Sequence, residues 1–342
     1  MKNQTPQGRC RNALQQHTIK GFVAGIFPCQ LKPIVLEAIL HRILGIGEIL
    51  WDMLPTGPQL GGAPANYSVM AARLGSHAAI LSRLGDDPLG QQARETLDRF
   101  PVDVSLLQTD TRQPTGRVTV ELTDGQPSYV IHQPVAWDFL EPSQSWLHLA
   151  SSADAICFGT LAQRSAASRA AIHAVVGATT SQCHRIFDVN LRAPFYSAEI
   201  LRESLQLATV VKMNDAEVPL VLKHLNLSVG APEHLLRHGA EQILEAFPAL
   251  HLVAITCGGD GSLLVTHTES HRHPGVPVRV LDTIGAGDAF TAAMTHYLLR
   301  AAPLALLNEA GNRWGSFIAS QAGAMPEIPP DTLARIQAEI ET

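Results

Sequence analysis

Short apolar runs alternate with amphipathic stretches from residue 42 towards the C-terminus, and this rhythm constrains the fold more than any other feature of the chain. ILGIGEIL (43–50), which ends in Trp51-Asp52, reads as a buried strand. PANYSVMAARLG (64–75) has helical periodicity and stops at Gly75. HAAILSRLG, AICFGT, RIFDVN, TVVKMN and HLVAITCG read as further strands. Between them the pattern predicts helices over 87–100, SAASRAAIHAVV, 197–207, 215–225 and 232–246. Strands that alternate with helices at this spacing form βαβ units, so the expected class is α/β with a mostly parallel central sheet flanked by helices. Two segments break the rhythm. Residues 53–62 (MLPTGPQLGG) are turn-rich, and residues 112–135 alternate polar and apolar around Thr123-Asp124-Gly125-Gln126. The second reads as a half-exposed hairpin, and the two together as a small β-sheet lid.

The bulk properties narrow the function classes. Of 342 residues, 46% are hydrophobic and 16% charged, an ordinary globular mixture. A net charge of −6 without a Lys/Arg stripe offers no footprint for nucleic acid. No run of eighteen apolar residues suggests a membrane span. Cys10, Cys29, Cys157, Cys183 and Cys257 are widely spaced and form no CxxC pair, which suits reduced thiols and a cytoplasmic setting. The expected organisation is a basic extension over 1–41 and one domain over 42–342. The extension carries Lys2, Arg9, Arg11, Lys20 and Lys32 before the first acid, Glu37. Its apolar stretch GFVAGIF is short for a signal core, which favours an extra arm or an early start over a targeting peptide.

The nonapeptide DTIGAGDAF (282–290) carries the chemistry. It follows the short apolar run VRVL and precedes a helical stretch, so it reads as a strand, a glycine turn and a helix start. N–H groups at a helix start, reinforced by the macrodipole, make an anion site. Gly285 and Gly287 allow positive φ and close approach of a phosphate to the backbone. Asp288 would repel a phosphate, but beside an anion hole it suits a base that takes a proton from an attacking hydroxyl. A dinucleotide GxGxxG turn would need glycine where Phe290 stands, and a Walker loop would need Gly-Lys-Ser/Thr. Taken alone, the nonapeptide is equally a structural turn with an acid at a helix start.

It does not stand alone. GGAPAN (61–66), LGDDPLG (84–90), DVNLR (188–192), NDAE (214–217) and DTIGAGD follow one another in an order and spacing that resembles the ribokinase-like (PfkB-type) carbohydrate kinases, over about residues 42–330. GEILWD and GGAPAN are most similar to fructokinases. The resemblance implies a ribokinase-like fold and an ATP-dependent sugar kinase. In it, Asp288 is the base, Gly285, Ala286 and Gly287 form the anion hole, and Arg192 faces the reacting groups. Asp52, Gly61, Gly62 and Asn66 would hold the sugar, where a polyol needs donors and acceptors at fixed geometry. Asn214 and Glu217 would act on Mg²⁺ through its water shell, although the same spacing fits a helix capping box. Thr256, Gly258, Gly261 (TCGGDG) and Asn312 would lie around ATP. The resemblance also extends to a monovalent cation, K⁺, near Asp282 and residues 322–324.

Departures from the family pattern are Val189 where proline is common and Cys257 in the nucleotide turn, the latter suggesting sensitivity to thiol reagents. His267, His271 and His273 match no common metal spacing and read as a solvated hairpin. The expected activity is fructose phosphorylation. The alternatives are a nucleoside or aminoimidazole riboside kinase on the same scaffold, or a non-catalytic sugar- or nucleotide-sensing homologue. Exposed lid strands make a homodimer through the lid plausible.

Overall fold

The computed structural model describes residues 40–341 except 56, 124–125 and 232–233, so most of the basic extension, Cys10, Cys29 and the hairpin tip Asp124-Gly125 lie outside the described residues. An eight-stranded sheet runs in the order Ser270–His273, Ser262–Val265, Leu252–Thr256, Val210–Asn214, His184–Asp188, Ala155–Gly159, Arg42–Ile46, His77–Leu81. The last six of these are parallel, and the first two add an antiparallel hairpin at one edge. Successive residues of Arg42–Ile46 face opposite sides: Ile43 joins one apolar cluster, Leu44 and Ile46 the other. A strand buried on both faces needs this continuous apolar run, whereas a half-exposed one would alternate.

The helix starts follow local chemistry. Asp87 accepts the Gly90 N–H at 2.7 Å ahead of helix Pro88–Leu97, and Ser197 accepts the Ile200 N–H at 3.2 Å ahead of Ala198–Leu207. Gly75, with φ +91°, stops the chain after helix Ala63–Arg73. Helix Ala286–Leu298 packs against both Leu304–Ala319 and Ala63–Arg73 on one face of the sheet. Among the described residues, no helix is long and apolar enough to cross a membrane.

The run 43–50 is not one strand. Arg42–Ile46 belongs to the large sheet, and Leu50–Leu54 to a separate four-stranded sheet ordered Gly57–Gly61, Leu50–Leu54, Gly116–Thr123, Gln126–Ile131. The break is Gly47, whose φ of +148° only glycine adopts readily. Its N–H donates to Leu81 O at 3.1 Å and its carbonyl accepts the Ser82 hydroxyl at 2.6 Å. Asp52 therefore stands mid-strand in the small sheet and not at a strand end. The turn-rich segment 53–62 contributes the strand Gly57–Gly61, antiparallel to Leu50–Leu54. Residues 112–135 form the expected hairpin, with Thr123 opposite Gln126.

Candidate active site

Strand Arg42–Ile46 pairs with His77–Leu81 on one side and Ala155–Gly159 on the other, so the chain reverses its direction of winding there. Ligands of open α/β sheets gather at the carboxyl ends of strands near such a point. There a cavity of ≈ 930 Å³ opens between the large sheet, the four-stranded sheet and the start of helix Ala286–Leu298. Arg192 follows strand His184–Asp188, while Asn214 and Thr256 end their own strands. Asp52, Gly61, Gly62, Asn66, Arg192, Asn214, Thr256, Gly258, Gly261, Gly285, Ala286, Gly287, Asp288 and Asn312 all line this one cavity. Glu217 and Asp282 stand outside its lining.

The turn is built differently from its sequence reading. The residues before it are not a strand: 274–283 is irregular, and Val280 and Leu281 are 59% and 67% exposed. Apolar composition alone cannot separate a buried strand from an apolar wall, and Val278 and Val280 supply part of the cavity wall. The segment is anchored where Leu281 and Asp282 both donate to Ala319 O, at 2.9 and 3.2 Å. Gly285 takes the left-handed conformation (φ +78°), and a Cβ there would stand 2.6 Å from that of Ala324. Ala286 donates to Thr283 O at 3.3 Å, and Ala289 is the first residue to close back on Gly285, at 2.9 Å. The N–H groups of Gly287 and Asp288 remain without a helix acceptor, as in any first turn. Of the expected anion-hole residues Gly285, Ala286 and Gly287, Ala286 thus has its N–H engaged within the turn.

Asp288 is half-buried, and Asn66 donates its Nδ2 to Asp288 Oδ2 at 2.7 Å. Burial, with the Asp188 charge adding to it, pushes the Asp288 carboxyl up to about 6, against the pull of Lys212, Asn66 and Arg192. Among the described residues no hydrogen bond engages Oδ1. Asp52 is also raised, first by burial and then by Asp282, with Arg192 opposing. Its Oδ2 would lie 3.0 Å from a Cβ at Gly61, so glycine leaves that carboxylate room. Arg192 is exposed, donates to Leu191 O at 3.0 Å, and acts on the charges of Asp52, Glu48 and Asp288.

Asn214 and Glu217 make the reciprocal pair that their spacing allows. The Glu217 N–H donates to Asn214 Oδ1 at 2.9 Å, and the Asn214 N–H to Glu217 Oε2 at 2.8 Å. The Leu191 N–H takes Glu217 Oε1 at 2.7 Å. The helix itself begins at Glu217, two residues later than expected. Asp282 accepts the N–H groups of Ile284 at 3.0 Å and Gly323 at 3.1 Å, clamping the turn to 322–324.

Three charged residues escaped the sequence reading. Lys212, 6% exposed, lines the cavity with its Nζ 3.2 Å from both oxygens of Asp188 and 2.9 Å from where a Gly287 Cβ would stand. Asp188 also accepts the Thr291 hydroxyl at 3.3 Å. Glu48, 3% exposed with Oε2 unpartnered among the described residues, is pushed to about 7, chiefly by burial. Each has a signal in retrospect: a charged residue inside an otherwise apolar run, as in ILGIGEIL or VVKMN.

Two peripheral expectations change. The histidine hairpin is not simply solvated: His273 is buried and its Nε2 meets Glu309 Oε2 at 2.7 Å. Among the described residues no group of three potential ligands could hold a metal. Burial pushes the Cys257 thiol up and Arg272 Nη1 contacts its sulfur at 3.2 Å, while the residue lies outside the cavity lining. A raised thiol is a poor nucleophile, which removes the basis for ready modification.

Comparison with known proteins points to one family. The model of the pfkB family of carbohydrate kinases matches residues 57–331. A fructokinase of Escherichia coli is 29% identical over 319 residues, covering 84% of this chain and 96% of its own. An aminoimidazole riboside kinase of Salmonella typhimurium is 29% identical over 320 residues, covering 86% and 94%. The structure of Vibrio cholerae fructokinase bound to fructose, ADP and calcium superimposes with a TM-score of 0.71 at 26% identity, covering 87% of this chain and 99% of that one.

Proposed function

The chain belongs to the pfkB family of carbohydrate kinases, with the ribokinase-like fold, and from that premise we propose that it transfers the γ-phosphoryl group of ATP to a hydroxyl of fructose or a close ketose. One observation carries the reading: a half-buried carboxyl with a raised pKa, Asp288, stands at a helix start whose unclosed N–H groups share its cavity. Asp288 takes the hydroxyl proton on Oδ1 while Asn66 holds Oδ2. The N–H groups of Gly287 and Asp288, with Gly285 and Ala286 shaping the turn, stabilise charge on the moving phosphoryl group. Arg192 adds positive charge from the facing strand end. Asp52 and Asn66 bind sugar hydroxyls where Gly61 and Gly62 let the backbone come close. The nucleotide lies over Thr256, Gly258, Gly261 and Asn312.

Asn214 and Glu217 fit Mg²⁺ held through water and not an all-protein cage. Both Glu217 oxygens already accept a backbone N–H, so each keeps one lone-pair direction for a bridging water. When bound, the ion would neutralise phosphate charge. Asp282 would serve a K⁺ ion indirectly, by clamping the 322–324 carbonyls beside Gly285. The four-stranded sheet acts as the lid, closing over the sugar to exclude water. Its inner residues Val118, Tyr129 and Ile131 are apolar, the one feature favouring a riboside with a planar substituent over a free ketose.

An ADP-release assay across ketoses, aldoses and ribosides tests the proposal. Fructose should give the highest kcat/KM, and Asp288→Asn should lower kcat by about 10²–10⁴-fold. A preference for a riboside overturns the substrate, and ADP release that no acceptor stimulates overturns the transferase.

A further inference from the structure

Helix Leu304–Ala319 carries Asn308 and Asn312 one turn apart on the same face, 0% and 6% exposed, against the hairpin that contains Ser262 and His271. Backbone carbonyls, which only accept, decide how both side-chain amides point. Asn308 Nδ2 lies 2.9 Å from His271 O, so it donates there and turns its Oδ1 towards Ser262 and Asn312. The Ser262 hydroxyl donates to that Oδ1. Asn312 Nδ2 lies 2.7 Å from Asn308 O, 2.6 Å from Ser262 Oγ and 3.0 Å from Asn308 Oδ1. Its two hydrogens are shared among three acceptors. Turning the Asn312 amide over would set oxygen against a carbonyl and a carboxamide oxygen inside the protein, an arrangement that leaves buried acceptors facing one another.

Asn312 lines the cavity, and with its nitrogen engaged on the Ser262–Asn308 side, Oδ1 is the polar atom it offers there. The wall beside it is poor in side-chain donors: Gly311 and Gly315 flank it on the helix, Gly259, Val276 and Val278 line the same cavity, and Ser316, one turn further along, adds a single hydroxyl. Gly311 has no room for a side chain, since a Cβ would stand 2.6 Å from the Phe290 ring.

We propose that Ser262 and Asn308 are positioning residues that lock Asn312 as a hydrogen-bond acceptor, so that the nucleotide half of the site selects a 6-aminopurine over a 6-oxopurine. The inference rests on the placement of the nucleotide in the proposed function. Adenine brings an exocyclic N–H to the acceptor, whereas hypoxanthine and guanine bring a carbonyl oxygen. Two facing acceptors in a desolvated slot leave both unpaired, and a site built for a hydrogen bond rejects the analogue that lacks it.

The test compares ATP, ITP, GTP and 2′-deoxy-ATP, by calorimetric binding and by turnover with the best acceptor. ATP should exceed ITP and GTP by about tenfold or more in affinity, with 2′-deoxy-ATP close to ATP. Asn308→Leu removes the carboxamide oxygen that opposes a turned Asn312 amide and frees the Ser262 hydroxyl to donate to it, while the backbone carbonyl of residue 308 remains, so it should lower the ATP/ITP ratio several-fold. Ser262→Ala, the milder change, should lower the same ratio part of the way and serves if the first variant does not fold. Equal binding of ATP and ITP by the wild-type protein overturns the proposal. So does an unchanged ratio in folded variants. Discrimination against 2′-deoxy-ATP but not ITP reassigns the acceptor to a ribose hydroxyl and also overturns it. Selective ATP binding without phosphorylation of any acceptor sustains the lock and removes the kinase reading instead.

Discussion

Asp288→Asn should stabilise the folded protein at neutral pH while removing its chemistry. The folded environment raises this carboxyl from 3.8 to about 6, mainly by burial. An acid raised in the folded state is relatively favourable when protonated and loses that advantage as the pH rises from the unfolded value through the folded one. The penalty therefore grows between about pH 4 and pH 6 and is complete above. A shift of about two units at ~1.36 kcal/mol each corresponds to about 3 kcal/mol. With an unfolding entropy of ~2.1 cal/mol/K per residue over about 300 residues, that is a rise in Tm of about 5 °C. Asparagine can still accept from Asn66, and Lys212 keeps Asp188, so the substitution removes the charge and little else. Ligand-free thermal unfolding of both proteins at pH 8 and pH 4 measures it. The gain should be present at pH 8 and nearly absent at pH 4. A difference independent of pH, or a variant less stable at pH 8, refutes the account of Asp288 as a carboxylate raised by desolvation.

Three further outcomes follow from the same geometry. The kcat/KM of the wild-type enzyme should fall on the acid side with an apparent pKa near 6, read from its pH profile; an acid limb near 4 would place Asp288 in a far more polar site. Lys212→Met leaves Asp188 buried without its cation and should cost about 3–5 kcal/mol in denaturant unfolding, whereas Lys212→Met with Asp188→Asn should recover most of the loss. Asp52→Ala should raise KM for the sugar by about tenfold or more with a smaller effect on kcat, and unchanged KM for every sugar in the panel excludes Asp52 from the sugar site.

What could be read from the sequence was whatever short-range patterning encodes. The strand–helix alternation, the helix starts near residues 87 and 197 and the hairpin between Thr123 and Gln126 depend on neighbours a few residues away. The site motifs could be read because each follows a strand end or opens a helix. The errors arose where one composition serves two geometries. ILGIGEIL looked like one strand because Gly47 is hidden in an apolar run, and VRVL looked like a strand because a cavity wall is also apolar. The polar interior stayed illegible for another reason. Lys212 meets Asp188 from 24 residues away and Asn308 meets His271 from 37 residues away, pairings that exist only once strands and helices are assembled.

The positive-φ glycines at Gly47 and Gly62 have a mechanical meaning. Two of the four chain connections between the four-stranded sheet and the body are Gly47–Ile49, where the chain leaves strand Arg42–Ile46, and Gly62, where it enters helix Ala63–Arg73. These two joints touch, since a Cβ on Gly62 would strike the carbonyl of Glu48. The other two connections, before Gly116 and after Ile131, carry the second hairpin of the same sheet. Any swing of that sheet over the cavity therefore bends the short link that carries Glu48, the buried acid that senses the charges of Arg192 and Asp288.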